Sequence, residues 1–242
     1  MRFDPLIQFM KQVQGKVNSS VYASLQGQSS AQQLAFIRQL EKEARNEKTL
    51  SIPLNELNVV VFDLETTGFF PDQGDEIISI GAVKVKGGII QHDETFYSLV
   101  RCNQKLSPEI KELTGIHDED IAESPELSKV LVDFYAFVKG DVLVAHHASH
   151  EKKFLQHANW KLFRKKFIHR IVDTSFLYKI AEPNVDLVRL EDFCEHCEIP
   201  VVERHHALGD AKMTAKLWSI YIKRIQDLGL KCLHDVYERL AR

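Results

Sequence analysis

Two periodicities divide the chain. Up to about residue 50 the apolar positions fall at helical spacing, Leu6, Met10, Val13 and Val17, then Leu34, Ile37 and Leu40, among many Gln and Ser. This predicts a short helical appendage, residues 1–53, joined at Pro53 to a main domain, residues 54–242. From Leu57 the pattern changes. Asn58-Val59-Val60-Val61-Phe62-Asp63 is an apolar run rich in β-branched residues and predicts a buried central strand. Ile77 to Val85, a Gly87-Gly88 turn and Ile90 to Val100 predict a hairpin that completes a three-stranded meander.

Helices follow. Ser107-Pro108-Glu109 predicts an N-cap with Pro at the first helical position and a short helix ending at Gly115. Ser124-Pro125-Glu126 repeats that opening for a helix through Val130, Phe134 and Val138 to Gly140. Val142 to Ala145 and Ile168 to Val172 predict two further strands, the second ending at Asp173. Leu190 to Cys197 and Ala207 to about Leu228 predict helices.

Composition narrows the class. With 242 residues and 44% hydrophobic content the chain can bury a good-sized core. No run reaches the roughly 18 apolar residues a membrane span requires, and the N-terminal stretch does not resemble a secretion signal. Cys102, Cys194, Cys197 and Cys232 are too sparse for a disulfide scaffold, so a cytoplasmic protein is expected. A net charge of −3 gives no general attraction to nucleic acid, so any such substrate must be held by a local patch and by metal ions.

Three clusters carry candidate chemistry. Asp63 and Glu65, expected where the first strand runs out, project from the same face of an extended chain, and two converging carboxylates suit a hard cation such as Mg²⁺ or Mn²⁺. Thr66-Thr67-Gly68 adds small residues beside which a substrate backbone fits. Spacing alone leaves open the reading that the two acids are solvated or cap a turn. The second cluster, His146-His147-Ala148-Ser149-His150-Glu151, opens a helix, and Glu151 either faces the first cluster or complements the helix dipole. Zinc is not expected there, because the adjacent histidines should diverge and no thiol closes the set. The third, His205-His206-Ala207-Leu208-Gly209-Asp210-Ala211, leads into a helix whose Ala211 and Ala215 permit close packing on the sheet. That packing would press Asp210 toward the strand acids and leave His205 on the loop as a general base; on the residues alone, His205 is as well read as an inert loop histidine and Asp210 as an ordinary helix residue. A zinc module on Cys194-Glu195-His196-Cys197 lacks a second ligand pair, and these cysteines are expected to pack within a helix.

Taken in order, the clusters resemble the three motifs of the DEDDh 3′→5′ exonuclease superfamily, which includes proofreading epsilon-type subunits and RNase T. The first is Phe62 to Gly68, the second His146 to Glu151, and the third His205-x-Ala207-Leu208-x-Asp210-Ala211. Leu106-Ser107-Pro108, Leu113 to Ile116 and Val172-Asp173-Thr174 match secondary marks, and the resemblance covers Leu57 to about Leu228. The family's second motif reads His-Asn, two positions, then Asp; here His147 and Glu151 stand in those places.

The resemblance implies an α/β fold, a ribonuclease H-like mixed β-sheet flanked by α-helices, with the N-terminal appendage outside it. It further implies a metal-dependent exonuclease releasing nucleoside 5′-monophosphates from single-stranded ends, DNA favoured, with two Mg²⁺ ions, or Mn²⁺ in their place. Asp63, Glu65, Glu151 and Asp210 are the implied metal ligands, His205 the base, and Thr66, Thr67 and His146 the substrate contacts. Lys161, Arg164, Lys165, Lys166 and Arg170 either hold the strand behind the site or form a solvated helix face. Implied partners are 3′ ends of DNA or RNA, and no membrane; the N-terminal region, which the resemblance does not cover, either packs as helices on the main domain or docks a DNA polymerase or a replication or repair protein. The alternative is a catalytically weak relative that serves as a nucleic-acid or polymerase binding module.

Overall fold

Strand β1, Asn58–Thr66, is the centre of the molecule. It pairs antiparallel with β2, Ile77–Lys86, over its whole length, and parallel with β4, Val142–Ala145, from Val59 to Val61 only. The computed structural model describes residues 47–241, and its five strands form one mixed sheet in the order β3-β2-β1-β4-β5. β3 is Ile89–Leu99 and β5 is Ile171–Asp173. The expected appendage falls almost entirely outside the described residues; of it, Glu47–Ser51 forms a 3₁₀ turn and Pro53 bridges to Cys232.

Alternation along β1 sends Val59 and Val61 to one face and Val60, Phe62 and Leu64 to the other. The first face packs under the long helix α7, Ala207–Asp227, through Leu217, Trp218 and Tyr221. The second packs under α3, Leu127–Val138, and α4, Ser149–Phe163, through Phe134, Phe154 and Leu155. Full burial of side chains this size stabilises by about 1.5–3 kcal/mol each. The remaining helices are α1, Pro108–Thr114; α2, Asp118–Ala122; α5, Ser175–Ala181; α6, Leu190–His196; and α8, Leu233–Leu240.

Three details differ from the expectations. β1 runs on through Asp63 to Thr66, because β2 continues to pair with it after β4 has ended. Both acids are therefore inside a strand whose β4 side is open. Ser124 does not cap α3: its hydroxyl donates to the Asp120 carbonyl and closes α2, while Glu126 is the N-cap position of α3. The last strand is shorter than Ile168 to Val172 suggests, pairing with β4 over three residues only. The Ser107 cap of α1, which accepts from the Ile110 N–H, and the left-handed Gly115 at its end are as expected.

One close approach positions the third cluster. Gly81 pairs with Asp63 across β2 and β1, and a Cβ at Gly81 would lie 2.1 Å from the Leu208 backbone nitrogen. Glycine there lets the first turn of α7 rest directly on the sheet. Ala207, Ala211 and Ala215 are fully buried on the same side, so Asp210 is carried down beside β1.

Candidate active site

The acids converge where β1 passes the end of β4. Ligand atoms of Glu65, His205 and Asp210 all lie within 4.8 Å of one another, and Asp63 and Asp210 line one cleft of about 240 Å³ with His146, His147, Val188, Arg189, Glu191 and Arg204. Glu65, Glu151 and Asp210 are buried to under a tenth of their free exposure. Glu151 projects from the first turn of α4. That turn has no side-chain cap of its own; the Ala148 N–H donates instead to Asp173 Oδ2 at 3.0 Å, and Asp173 Oδ1 accepts from Ser175. Asp173 thus fixes the starts of α4 and α5 together.

Burial without enough counter-charge governs the electrostatics. Desolvation, then Glu65, Glu151 and Asp210, push the Asp63 carboxyl well above its ordinary range, against a lowering effect of Arg204. Glu65 is pushed up to about 8 by burial and then by Asp210. Glu151 is also pushed up to about 8, by burial and the nearby Asp173. Asp210 reaches about 6, burial outweighing Arg204. Glu151 Oε2 and Asp210 Oδ1 are enclosed and have no hydrogen-bond partner among the described residues. Buried carboxylate oxygens without donors are costly to leave so, and the set of hard oxygen donors, with the His205 imidazole beside them, fits a divalent cation. Among the described residues, this is the one group of three with ligating geometry. The Cys194-to-Cys197 segment forms none; Cys194 is buried in α6 and His196 is held by Glu182.

The histidines of the second cluster do not diverge. His147 has φ 53°, and this left-handed turn swings its ring to the same side as His146, their centroids 4.3 Å apart. Both Nε2 atoms donate to the Val188 carbonyl, at 3.0 Å from His146 and 2.6 Å from His147. Adjacent side chains diverge on extended backbone, and the left-handed turn at His147 removes that divergence. His146 Nδ1 lies 3.3 Å from Thr174 Oγ1, and its pKa is lowered to about 4, by burial first and His147 second, so the ring is neutral. His150 meets Thr66 Oγ1 at 3.3 Å and packs on Phe69 and Phe154, linking the first cluster to the second.

Thr66 donates to the Gly68 carbonyl, while the Thr67 hydroxyl accepts from the Glu76 N–H, so both hydroxyls close the turn after β1. Lys161 lines a different cavity, with Pro71, Arg101 and His157, and at 1.5 Å per residue it stands roughly 15 Å along α4 from Glu151. His205 has φ 63° and donates its N–H to Asp210 Oδ2 at 3.3 Å. Arg204 reaches the same Asp210 oxygen, and with Arg189 and Glu191 is the part of the cleft that no motif signalled.

The exonuclease family model, that of RNase T, matches residues 60–218, which span all three clusters. The chain belongs to the RNase T exonuclease family. It is 36% identical over 172 residues to a PolC-type DNA polymerase III of Oceanobacillus iheyensis, covering 71% of this chain and 12% of the polymerase. It is 33% identical over 180 residues to a DNA polymerase III subunit epsilon-like protein of Rhodobacter capsulatus, covering 74% of this chain and 25% of that protein. The chain therefore corresponds to a small part of these relatives. Among solved structures it resembles the nuclease domain of 3′hExo, a DEDDh family member bound to rAMP, with TM-score 0.60, 22% identity and coverage of 70% and 92% of the two chains. Exonuclease X in complex with 5′ overhanging duplex DNA is similar at TM-score 0.55, 22% identity and 74% and 99% coverage. These likenesses establish the ribonuclease H-like sheet.

Against the exonuclease family's second motif, His147 now has a backbone reason. Asn is favoured at φ above zero, and His is also enriched there. Glu151 keeps the carboxylate at its place, with one oxygen unpaired.

Proposed function

We propose that this exonuclease-family chain removes nucleoside 5′-monophosphates from the 3′ end of single-stranded nucleic acid, DNA favoured, using Mg²⁺. The observation that carries the reading is the cluster of buried carboxylates whose pKa values are raised for want of positive charge. Glu65 and Asp210 with Asp63 would hold one ion, and Asp63 with Glu151 a second; Mn²⁺ has the same ligand preference. Two such ions supply positive charge at the attacking and leaving oxygens of a phosphodiester.

The chain's own groups do the rest. His205 is neutral near pH 7, since burial, then Arg204 and Arg189, lower its pKa, and it accepts a proton from the attacking water. The terminal P–O3′ bond breaks, the mononucleotide leaves with its 5′ phosphate, and the shortened strand keeps a 3′ hydroxyl. Thr66 and Thr67 shape the turn beside which the terminal nucleotide lies, and His146 fixes the opposite wall by holding Val188. The likeness to polymerase III proteins supports a polymerase or a replication or repair protein as partner. Residues 54–242 are the proposed catalytic domain, and four free cysteines, two of them buried, suit a cytoplasmic setting.

The test is product analysis of 3′- and 5′-labelled single-stranded DNA and RNA with Mg²⁺, Mn²⁺ or EDTA, beside Asp63→Ala. The expected result is mononucleotide release from the 3′ end, lost in EDTA and reduced by roughly three orders of magnitude in Asp63→Ala. Metal-dependent binding without release would instead indicate a binding module.

A further inference from the structure

Arg204 carries chemistry that none of the three motifs requires. It lies between Glu203 at φ 54° and His205 at φ 63°, two non-glycine residues in the left-handed region, a backbone that persists only where the surroundings hold it. The turn directs its side chain into the cleft, where it is 29% exposed. There Nη1 contacts Asp210 Oδ2 and lies 3.3 Å from His205 Nδ1. On the other side Nε donates to Glu191 Oε2 at 3.3 Å, and the second oxygen of Glu191 takes Arg189.

A guanidinium has five donors and no acceptor. Nδ1 of His205 must therefore accept from it, which places the proton of the neutral ring on Nε2. One side chain thus covers two groups that the proposed reaction uses, an Asp210 oxygen and the His205 lone pair. Since arginine does not lose its proton in proteins, it leaves only when another cation outcompetes it. Glu191 is a second anchor that keeps it in the cleft after it leaves Asp210.

We propose that Arg204 is a positioning residue whose guanidinium competes with a divalent cation for Asp210 Oδ2, so that metal loading displaces it from Asp210, leaves it held by Glu191 and uncovers His205 Nδ1. This rests on the reading that Asp63, Glu65 and Asp210 bind metal. Arg204 then sets how much metal the site requires before it fills, and it ties the availability of the base to that filling.

The experiment is a Mn²⁺ titration of the full chain without nucleic acid, following free Mn²⁺ by electron paramagnetic resonance, for wild type, Arg204→Gln, Arg204→Lys, Arg189→Gln and Asp63→Ala. Arg204→Gln should bind Mn²⁺ more tightly by on the order of tenfold, because a fixed positive charge beside the ion has gone. Arg204→Lys, which keeps the charge but cannot span Asp210 and Glu191 together, should fall between the two and serves if the glutamine variant does not fold. Arg189, 69% exposed and bonded to Glu191, should change the affinity by about twofold or less. In ¹⁵N spectra, adding Mg²⁺ to wild type should shift His205 Nδ1 toward the position it already holds in Arg204→Gln. Unchanged or weaker Mn²⁺ binding in folded Arg204 variants, with binding lost in Asp63→Ala, would overturn the proposal alone. Equal binding by wild type and Asp63→Ala would overturn the metal reading on which it stands.

Discussion

Helix α7 meets a single carboxylate near its C-terminus and a group of them at its N-terminus, and the two settings are built oppositely. Toward its C-terminus Tyr221 donates to Glu182 Oε2, Arg224 pairs with the same oxygen at 2.6 Å, and His196 reaches Oε1 at 3.1 Å. Burial alone would raise the Glu182 carboxyl, but these three partners outweigh it and hold the pKa below its usual range. At the N-terminus Asp210 joins Glu65, Asp63 and Glu151, and there burial wins, with Arg204 the cation that opposes it. A carboxylate that only has to hold α5, α6 and α7 together is given its donors by the protein. Carboxylates left short of donors are arranged to receive charge from elsewhere.

The largest expected effect sharpens the catalytic end. Replacing His205 with Gln should lower the rate of mononucleotide release by roughly 10²- to 10⁴-fold. The wild-type rate should hold down to below the ordinary His pKa of about 6.5, since burial and the flanking arginines lower that of His205, and the acidic limb should vanish in the variant. A pH–rate profile identical in both proteins would remove His205 from the chemistry.

Next is the pH dependence of stability in EDTA. In the unfolded chain the acids ionise near their ordinary values of 3.8 and 4.5, whereas in the folded protein Asp210 ionises near 6 and Glu65 and Glu151 near 8. Between those limits the folded protein binds more protons, so stability falls as pH rises from about 5 to about 8. A loss in Tm of roughly 5 °C or more is expected over that range, and millimolar Mg²⁺ should remove most of the slope. A flat profile in EDTA would mean that the acids are not short of charge.

Glu182→Gln is the opposite case and the smaller effect. It should lower stability by about 1–2 kcal/mol through loss of the ion pair with Arg224 and a weakened hydrogen bond from Tyr221, and leave the pH slope and the metal response as they were. A change in Mg²⁺ dependence would mean that the two ends of α7 are coupled.

Much of this was legible in the sequence, for identifiable reasons. β1 to β3 alternate or run apolar over nine to eleven residues, long enough for the signal to be unambiguous. Ser107-Pro108 and Gly115 act locally, so their cap appears where expected. Helix α2 has five residues, too few to show a period, so in the sequence Ser124 reads as the cap of the helix that follows. The acids could be named from motif and alternation, but not the continuation of β1 past β4, which is a property of the sheet. Arg204 left no sequence signal at all, because its partners Glu191 and Asp210 come from α6 and α7 and meet it only after folding.

The most direct test of the central claim, that this acid cluster is a divalent-cation site, is an anomalous difference map from crystals of the chain soaked in Mn²⁺ with a nucleoside 5′-monophosphate. Peaks ligated by Asp63, Glu65 and Asp210, with the nucleotide phosphate on the same ions, are the predicted result. Mn²⁺ bound elsewhere, or an acid cluster that stays without metal at saturating Mn²⁺, would contradict it.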